Sequence, residues 1–457
     1  MVENTSIERI KEIRGRQERF FRSGVTLDVK WRLERLKAFE AAVRKWEKPL
    51  CEALWTDLHK SYEEAYLTEV SILLGEIRSH IHNIRKWSRP QRKPTPLKMF
   101  PSRSKIISEP LGTALIISPW NYPVQLLLTP LVGAISSGCT AVLKPSPYVP
   151  NVSEVTRQMI EDTFSDEYVA VVQGNREVNT ALLEERWDLI FFTGSPALGR
   201  LVMGAAAKNL TPVILELGGK SPCIVDKDAD IKVAAKRIAW GKSLNAGQTC
   251  IAPDYLMIHE EIKDEFLKEL ETSFKELLGA DASTTGHFVR IVNDKAFDRL
   301  EGYLKDGRIT FGGHTDRDDR YFEPTVLDGV SPDAPVMREE IFGPIFPVQT
   351  FKDTDEVISF VTSREKPLAL YYFGSRGDYV LRHTSSGGAC INDTIMHIAN
   401  ENIPFGGVGN SGLGSYHFKR SFDAFTHYRA VVTTPTWLDL PFRYMPYKFF
   451  KVVKRLL

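Results

Sequence analysis

The sequence predicts an α/β protein with two domains, each of them built on a largely parallel sheet. Its 457 residues exceed the ~150 residues of a typical single domain. Hydrophobic residues make up 43% and charged residues 26% of the chain, as in globular proteins with an ample core. From Gly112 onward, short β-rich runs alternate with segments of helical length, a pattern typical of βαβ units in a doubly wound sheet.

The segment before residue 90 is predicted to be helical. Its apolar residues recur at steps of three and four, the period of a helix that buries one stripe: Leu33, Leu36, Phe39, Val43, Trp46 and Leu50. The prolines between Pro90 and Pro101 then exclude a continuing helix. We expect a domain boundary or an extended excursion there.

Two series of predicted strands follow. The first comprises TALIIS, TAVLK, YVAVV, LIFFT, PVILEL and CIVD, and the second, after Cys250, comprises YLMIHE, ITFGG, LALYYFG and ACIND. A charged helix is predicted from Glu261 to Leu278. Two α/β domains with an active site between them are the simplest arrangement.

Charge and hydropathy exclude several classes of partner. The formal net charge is +1, whereas nucleic-acid-binding proteins usually carry a basic excess, so we expect no nucleic-acid partner. The most apolar run, residues 126–135, is shorter than the ~20 residues that span a bilayer, and Pro130 interrupts it. The aromatic, basic tail PFRYMPYKFFKVVKRLL suits a strap packed on another domain or subunit, which we favour, or a segment at a membrane surface.

The cysteines and histidines show no metal-binding or disulfide pattern. The five cysteines include no C-x-x-C pair, which argues against a disulfide framework and a zinc site: Cys51, Cys139, Cys223, Cys250 and Cys390. His80 and His82 lie two apart in a helical stretch and therefore on different faces. We expect no catalytic metal, and a reducing, cytoplasmic setting because the amino terminus shows no apolar signal-peptide core.

Cys250 and Glu216 are the first candidates for catalysis. Cys250 ends the small-residue segment NAGQTC and could be a nucleophile, although free cysteine is more often a small buried hydrophobe. Glu216 lies in the apolar run VILEL, where apolar walls raise a carboxyl pKa toward the range of a general base. The alternative is a strand-end Glu that caps the following turn. The two segments lie about one βα unit apart and can open onto the same crevice.

Three further segments are candidates for binding. Asn121 follows the run TALII in a loop that two prolines fix, which suits an oxyanion donor, the alternative being a turn-forming Asn. The run LIFFT is followed by Gly194 and Gly199 and then a helix, whose free N–H groups favour a phosphate. Lys144 closes TAVLK and could hold a ribose or phosphate, or end a solvated strand. A literal G-x-G-x-x-G at residues 407–412 follows no clear strand, so we expect a loop there.

Seven segments, in this order between Gly112 and Arg429, resemble those of the aldehyde dehydrogenase superfamily: SPWNYP, LKPS, FFTGS, LELGGKSP, GQTCIAPDY, EEIFGP and PFGGVGNSG. CIAPDY after the cysteine, GNSGLGSYH, the tail PYKFFK and an amino terminus without the long extension of tetrameric classes resemble the class 3 branch. That branch handles fatty, medium-chain and aromatic aldehydes, usually as dimers.

The resemblance implies an aldehyde dehydrogenase-like fold. Residues 1–89 and 111–216 would form a dinucleotide-binding domain with a doubly wound sheet, and residues 217–405 an α/β catalytic domain. Residues 90–110 and 406–457 would form a bridging, oligomerisation element and the carboxyl-terminal tail. The expected assembly is a homodimer.

The resemblance also implies a role for each site residue. Cys250 would be the nucleophile, Glu216 the general base, and Asn121 an oxyanion donor together with the backbone N–H of Cys250. The dinucleotide contacts would come from seven residues, with Glu340 on the nicotinamide ribose: Trp120, Lys144, Gly194, Ser195, Gly199, Glu340 and Phe342. The aldehyde tunnel would be lined by Tyr122, Trp240 and Phe405.

The implied reaction is NAD(P)-dependent oxidation of an aldehyde to the carboxylic acid. The Cys250 thiolate would form a thiohemiacetal, hydride would pass to the nicotinamide, and Glu216 would activate the water that hydrolyses the thioester. Superfamily members that pass the acyl group to coenzyme A or reduce acyl phosphates lack this base, so Glu216 favours hydrolytic oxidation.

One position departs from the pattern of strictly NAD-using relatives. They usually carry an acidic residue three positions after the lysine of LKPS, where it binds the adenosine ribose and repels a 2′-phosphate. This chain has Pro147 there. We therefore expect NADP to be used as well as NAD.

Two rival functions remain. A cysteine hydrolase or esterase could use Cys250 and Glu216 without a cofactor, and cofactor dependence would separate it from a dehydrogenase. A structural homologue that kept the fold without catalysis should lack one of Cys250, Glu216 or Asn121. This chain has all three.

Overall fold

The protein is described by a computed structural model that covers residues 3–456. Sixteen α-helices occur within that range: α1 (Ile7–Arg22), α2 (Val29–Leu58), α3 (Tyr62–Ala65), α4 (Ser71–Trp87), α5 (Gln125–Ser137), α6 (Pro150–Thr163), α7 (Arg176–Glu184), α8 (Pro196–Ala207), α9 (Ile231–Ser243), α10 (Lys263–Leu278), α11 (Asp294–Tyr303), α12 (Pro335–Arg338), α13 (Thr354–Thr362), α14 (Gly377–His383), α15 (Lys419–Ala424) and α16 (Phe450–Leu456).

Eighteen strands occur in the same range: β1 (Gln91–Lys93), β2 (Arg103–Pro110), β3 (Thr113–Ile117), β4 (Thr140–Lys144), β5 (Val169–Val171), β6 (Leu189–Gly194), β7 (Val213–Leu217), β8 (Pro222–Val225), β9 (Tyr255–His259), β10 (Arg308–Phe311), β11 (Thr315–Asp316), β12 (Tyr321–Phe322), β13 (Thr325–Asp328), β14 (Ile345–Phe351), β15 (Ala369–Phe373), β16 (Gly388–Ile391), β17 (Gly412–Leu413) and β18 (Thr426–Thr433).

The first sheet has six strands in the order β17–β7–β6–β3–β4–β5, and all pairs are parallel except β17 with β7. One face buries Leu115 and Ile117 against α1, α7 and α8. The other face buries Ala114 and Ile116 against α2, α4, α5 and α6. Because helices cover both faces, successive residues of each strand are apolar. The predicted doubly wound arrangement is confirmed.

The second sheet has seven strands in the order β10–β13–β14–β9–β8–β15–β16, and they are parallel except at the β10 edge. Sequence analysis predicted β8, β9, β10, β15 and β16 but not β13 or β14. Strand β14 contains Pro347, and a proline, which cannot donate to a ladder, argues against an internal strand. The α/β prediction is confirmed, although these two strands were missed.

The third sheet is antiparallel, with the order β1–β2–β18. Strand β2 pairs with β18 along its whole length, from Pro110 with Thr426 to Arg103 with Thr433. The predicted extended excursion after Pro90 is therefore confirmed. Residues 412–413 instead add β17 to the first sheet, so the three-stranded sheet receives only the later part of the predicted 406–457 element.

Helix α5 contains the apolar run that the sequence shows at residues 126–135. Every residue of α5 is buried, because the helix packs between the first sheet and the helices α2, α4 and α15. Its hydrophobicity is therefore that of a core helix. In residues 3–456, no helix has the length and apolar character needed to cross a membrane.

Candidate active site

Four parallel strands of the first sheet bring the predicted site residues to one edge. Strand β3 ends at Ile117, which pairs with Lys144 of β4 and Phe192 of β6. Strand β7 continues this edge, because Glu216 pairs with Thr193 of β6. Since all four strands are parallel, their carboxyl ends open onto the same crevice. The loop after β3 carries Asn121.

The opposite wall of the crevice comes from the second sheet. It is formed by the segments that precede β9 and β14. Cys250 lies before β9, after a 3₁₀ turn over Leu244–Gly247. Gly247 has φ +70°, and a Cβ there would overlap the Gly343 carbonyl oxygen. The turn therefore requires glycine to approach the segment that carries Glu340. This close approach links the predicted nucleophile loop to the segment before β14.

Glu216 is enclosed on β7, with 3% of its surface exposed. Neither carboxyl oxygen has a hydrogen-bond partner among residues 3–456. Burial raises the pKa of Glu216 well above its ordinary value. A carboxyl in this environment binds a proton readily, as a general base must.

Cys250 is partly buried, and two carboxyl groups lie near enough to act on its pKa. Burial raises the pKa of the Cys250 thiol, and the charges of Glu340 and Glu216 raise it further. Both effects favour the thiol over the thiolate. The predicted base and nucleophile are thus close enough for a charge on Glu216 to act on the thiol.

Asn121 is held from its backbone and from its side chain. Its carbonyl oxygen accepts hydrogen bonds from Lys60 Nζ (3.0 Å) and Asn245 Nδ2 (2.9 Å). Its own Nδ2 donates to the Gln248 carbonyl oxygen at 2.9 Å, which leaves the second N–H of the amide. From the sequence, we expected two prolines to make this loop rigid. The structure adds these hydrogen bonds.

A groove of about 610 Å³ opens between the first sheet and the segment before β14. Its walls include the start of α8, the Gly218-Gly219 turn and the side chain of Glu340. A Cβ on Gly218 would overlap the Glu340 carboxylate, so the glycine leaves room for that side chain. Burial raises the pKa of Glu340 to about 8, and the charge of Asp254 also raises it.

The remaining residues predicted to bind the dinucleotide come from the start of α8, the loop after β3, the end of β4 and the segment before β14. Of these, Ser195 lines the groove. Ser195 accepts the Leu198 N–H at the start of α8. The Trp120 and Phe342 rings meet edge to face, with centroids 5.4 Å apart. Lys144 is buried, and its Nζ donates to the Pro145 carbonyl at 2.8 Å. Burial lowers the pKa of Lys144 to about 8.

Gly194 and Gly199 have packing roles visible in the structure. A Cβ on Gly199 would lie 2.8 Å from Leu217 Cδ2, so this glycine lets α8 approach β7. A Cβ on Gly194 would instead crowd the ring of Phe192, two residues earlier on β6. Gly199 thus places the start of α8 close to the end of β7.

The predicted tunnel residues come from three segments. The Tyr122 hydroxyl forms a hydrogen bond with Thr249 Oγ1 at 2.7 Å, beside Cys250 in sequence. Trp240 is half-buried on α9, the helix that leads into the nucleophile loop. Phe405 is buried, with its ring centroid 5.8 Å from that of Tyr416.

Sequence analysis missed a buried polar cluster behind Asn121. Lys60 and Glu69 are both fully buried and form an ion pair at 2.7 Å. Glu64 accepts the Asn245 N–H at 2.8 Å, and burial raises its pKa to about 7. The run KSYEEAYLTEV looks like the solvated face of a helix, so charge alone gave no reason to place these residues inside.

The G-x-G-x-x-G at residues 407–412 is a loop, as predicted. It contains a 3₁₀ turn over Gly409–Ser411 and ends at β17, where Gly412 pairs with Glu216. The segment thus borders the predicted base and is no strand-to-helix turn. In the part of the chain that the structure describes, no group of three or more His, Cys, Asp or Glu could hold a metal ion.

The chain matches known proteins along most of its length. The sequence model of the aldehyde dehydrogenase family matches residues 2–431. A 4,4'-diaponeurosporen-aldehyde dehydrogenase from Staphylococcus aureus is 46% identical over 95% of this chain and 96% of its own length. A dimeric, NADP-preferring aldehyde dehydrogenase from Canis lupus familiaris is 40% identical over 96% of this chain and 98% of its own.

A solved structure gives the same result for the fold. It is described as the substrate-bound state of Staphylococcus aureus AldH, and it superposes with a TM-score of 0.96. The two sequences are 44% identical, and the match covers 98% of this chain and 99% of the other. This chain therefore belongs to the aldehyde dehydrogenase family.

Proposed function

We propose that Cys250, Glu216 and Asn121 carry out the NAD(P)-dependent oxidation of an aldehyde to a carboxylic acid that the family performs. The observation that supports this most directly is Glu216. It is a buried carboxyl without a hydrogen-bond partner among the described residues, and its charge acts on the Cys250 thiol. An unpartnered buried carboxyl is costly, so its presence in this crevice indicates a chemical role.

In the proposed reaction, the Cys250 thiol gives its proton to water, and the thiolate sulfur attacks the aldehyde carbon. The carbonyl oxygen gains the electron pair, and the second N–H of Asn121 and the Cys250 backbone N–H stabilise it. After hydride has left the carbon, the acyl group remains on sulfur as a thioester. Glu216 then takes a proton from water, whose oxygen attacks the acyl carbon and releases the acid and the Cys250 thiolate.

The groove beside α8 fits a dinucleotide. The positive N-terminal end of α8 suits a phosphate, Gly218 leaves space beside Glu340, and the carboxylate of Glu340 can accept ribose hydroxyls. Lys144, Trp120 and Phe342 would bind along the same edge. When bound, the nicotinamide accepts the hydride.

A cofactor-dependence assay tests the proposed function. Reduced cofactor should form only when an aldehyde and NAD or NADP are both present, and one carboxylic acid should form for each cofactor reduced. The cysteine hydrolase would instead be supported if the protein cleaves esters as fast without cofactor as with it and oxidises no aldehyde.

Pro147 is proposed to permit NADP. We expect the Pro147→Glu variant to lower kcat/KM for NADP relative to NAD by about tenfold or more, because a carboxylate there would repel the 2′-phosphate. Steady-state kinetics with both cofactors measures this, and Pro147→Gln controls for the loss of the proline. A preference of the wild-type enzyme for NAD above a hundredfold would contradict the proposal.

The assembly and setting are also proposals. A homodimer is supported by the relative that is named dimeric and by exposed apolar side chains of the tail, such as Trp437 and Met445. A reducing, cytoplasmic setting is supported by five free cysteines. The substrate class is proposed to be fatty, medium-chain or aromatic aldehydes.

We also propose a division of the chain into three parts, which the first, second and third sheets support. The first sheet supports a dinucleotide-binding domain over residues 1–89 and 111–216, and the second a catalytic domain over residues 217–405. The three-stranded sheet supports a bridging element that includes residues 90–110.

A further inference from the structure

The ion pair between Lys60 and Glu69 has no exposure to solvent. Both side chains have 0% of their surface exposed, and Lys60 Nζ lies 2.7 Å from Glu69 Oε1. Burying two charges costs several kcal/mol for each ion, and an apolar pair of similar size is often at least as stable. A contribution to folding stability is therefore not enough to explain why this position holds an ion pair.

Besides Glu69, the Lys60 ammonium contacts the loop that carries Asn121. Lys60 Nζ donates to the Asn121 carbonyl oxygen at 3.0 Å. It also lies 4.2 Å from the centroid of the Tyr122 ring, within range of a cation–π contact. The ammonium therefore fixes the loop at two consecutive residues.

Glu69 fixes the other end of the same loop. Its Oε2 accepts the N–H of Val124 at 2.8 Å and that of Gln125 at 3.3 Å, at the start of α5, where a carboxylate is favourable. Glu69 lies in a π-helical turn over Tyr66–Val70, a local irregularity often found at functional sites. The pair thus holds the loop between β3 and α5 from both sides.

The loop is in turn bonded to the nucleophile loop. Asn121 Nδ2 donates to the Gln248 carbonyl oxygen, and Asn245 Nδ2 donates to the Asn121 carbonyl oxygen. The position of the Asn121 amide relative to Cys250 therefore depends on where the Asn121 backbone is held. A donor that is displaced by about 1 Å loses much of its effect on rate.

We propose that Lys60 and Glu69 are positioning residues that hold the Asn121 amide where it stabilises the oxyanion. The inference rests on the proposed role of Asn121. Lys60 acts through the Asn121 backbone and does not contact the reacting atoms. Removing its ammonium should slow the chemical step while cofactor binding stays unchanged.

A double-mutant cycle in kcat tests this proposal. Asn121→Ala is expected to lower kcat about 10²- to 10³-fold, and Lys60→Met about tenfold or more. If Lys60 acts through Asn121, the double variant should be no slower than Asn121→Ala within about threefold. The dissociation constant of NAD and the far-UV circular dichroism should match the wild type throughout.

Two further variants keep the test decisive. Lys45→Met removes an exposed ion pair with Asp162 from the preceding helix and should retain full activity. If Lys60→Met does not fold, Lys60→Met/Glu69→Gln removes both buried charges and enters the cycle instead.

Each outcome has a defined meaning. If the double variant loses kcat by the product of the two single losses, Lys60 does not act through Asn121. Full kcat in both Lys60→Met and Lys60→Met/Glu69→Gln would also overturn the positioning role. Neither result would affect the proposed role of Asn121. Full kcat in Asn121→Ala would remove the oxyanion role of Asn121, and the positioning role with it.

Discussion

The Cys250→Ser variant should lose aldehyde oxidation almost entirely, by roughly 10⁴- to 10⁶-fold in kcat, as when other covalent nucleophiles are removed. A serine hydroxyl ionises far less readily than a thiol and is a weak nucleophile, so the covalent intermediate should form much more slowly. The groove beside α8 does not involve the sulfur, and the dissociation constant of NAD should change little. Stopped-flow formation of reduced cofactor and a separate binding titration measure the two effects.

Cys390→Ser is the matched control, because Cys390 is also a partly buried free cysteine whose pKa is raised by burial. It should retain wild-type kcat. Equal loss in both variants, or oxidation at the wild-type rate by Cys250→Ser, would show that Cys250 is not the nucleophile.

The raised pKa of Cys250 also predicts how its thiol reacts before cofactor binds. Only the thiolate is alkylated readily. Iodoacetamide should therefore modify Cys250 slowly at pH 7, and the rate should increase as the pH rises. Peptide mapping identifies the modified cysteine.

The Glu216→Gln variant should form about one equivalent of reduced cofactor per active site and then stall. Glutamine fills the same space but cannot take a proton from water, so the thioester should persist after hydride has left. Rapid quench and intact-protein mass measurement should detect the acyl adduct. We expect the steady-state rate to fall about 10²- to 10⁴-fold, the usual contribution of general base catalysis.

The pH dependence of this variant is a second measurement of the same role. The pKa of Glu216 is raised by burial, so the deprotonated base becomes more populated as the pH rises. The deacylation rate of the wild type should increase with pH as Glu216 loses its proton. The deacylation rate of Glu216→Gln should lack this increase. Glu177→Gln, at an exposed position in the first turn of α7, serves as the control.

The same shift predicts an effect on stability. Between the ordinary pKa of a glutamate and the raised pKa in the folded chain, the native state holds a proton that the unfolded state has lost. The free energy of unfolding should therefore fall as the pH rises through this interval, and Glu216→Gln should not show that part of the decrease.

Steady turnover by Glu216→Gln at the wild-type rate would remove Glu216 as the essential base.

The sequence was sufficient for the parts of the fold that depend on apolar runs. Strands such as β3, β4 and β6 are buried on both faces, so their continuous apolar sequences identify them, and their parallel order then places Asn121 and Glu216 at one edge. Strand β14 was missed because Pro347 interrupts the pattern on which such predictions depend.

The support behind the site could not be predicted in the same way. Lys60 and Glu69 occur among polar residues, and a charged residue is usually exposed. Their burial depends on the packing of α2 and α4 against α5, which residue spacing does not reveal. The hydrogen bond from Asn121 to Gln248 likewise joins two loops that are far apart in sequence.

The pairing of β17 with β7 affects how the chain can fold. The strand that carries Glu216 finds its outer neighbour only when Gly412 has been synthesised, near the end of the chain. A fragment that stops after β7 would present an unpaired edge, open to pairing with another chain. The first sheet is thus completed only by a segment far along the chain from β7, and a nascent chain depends on that segment to avoid edge-to-edge association.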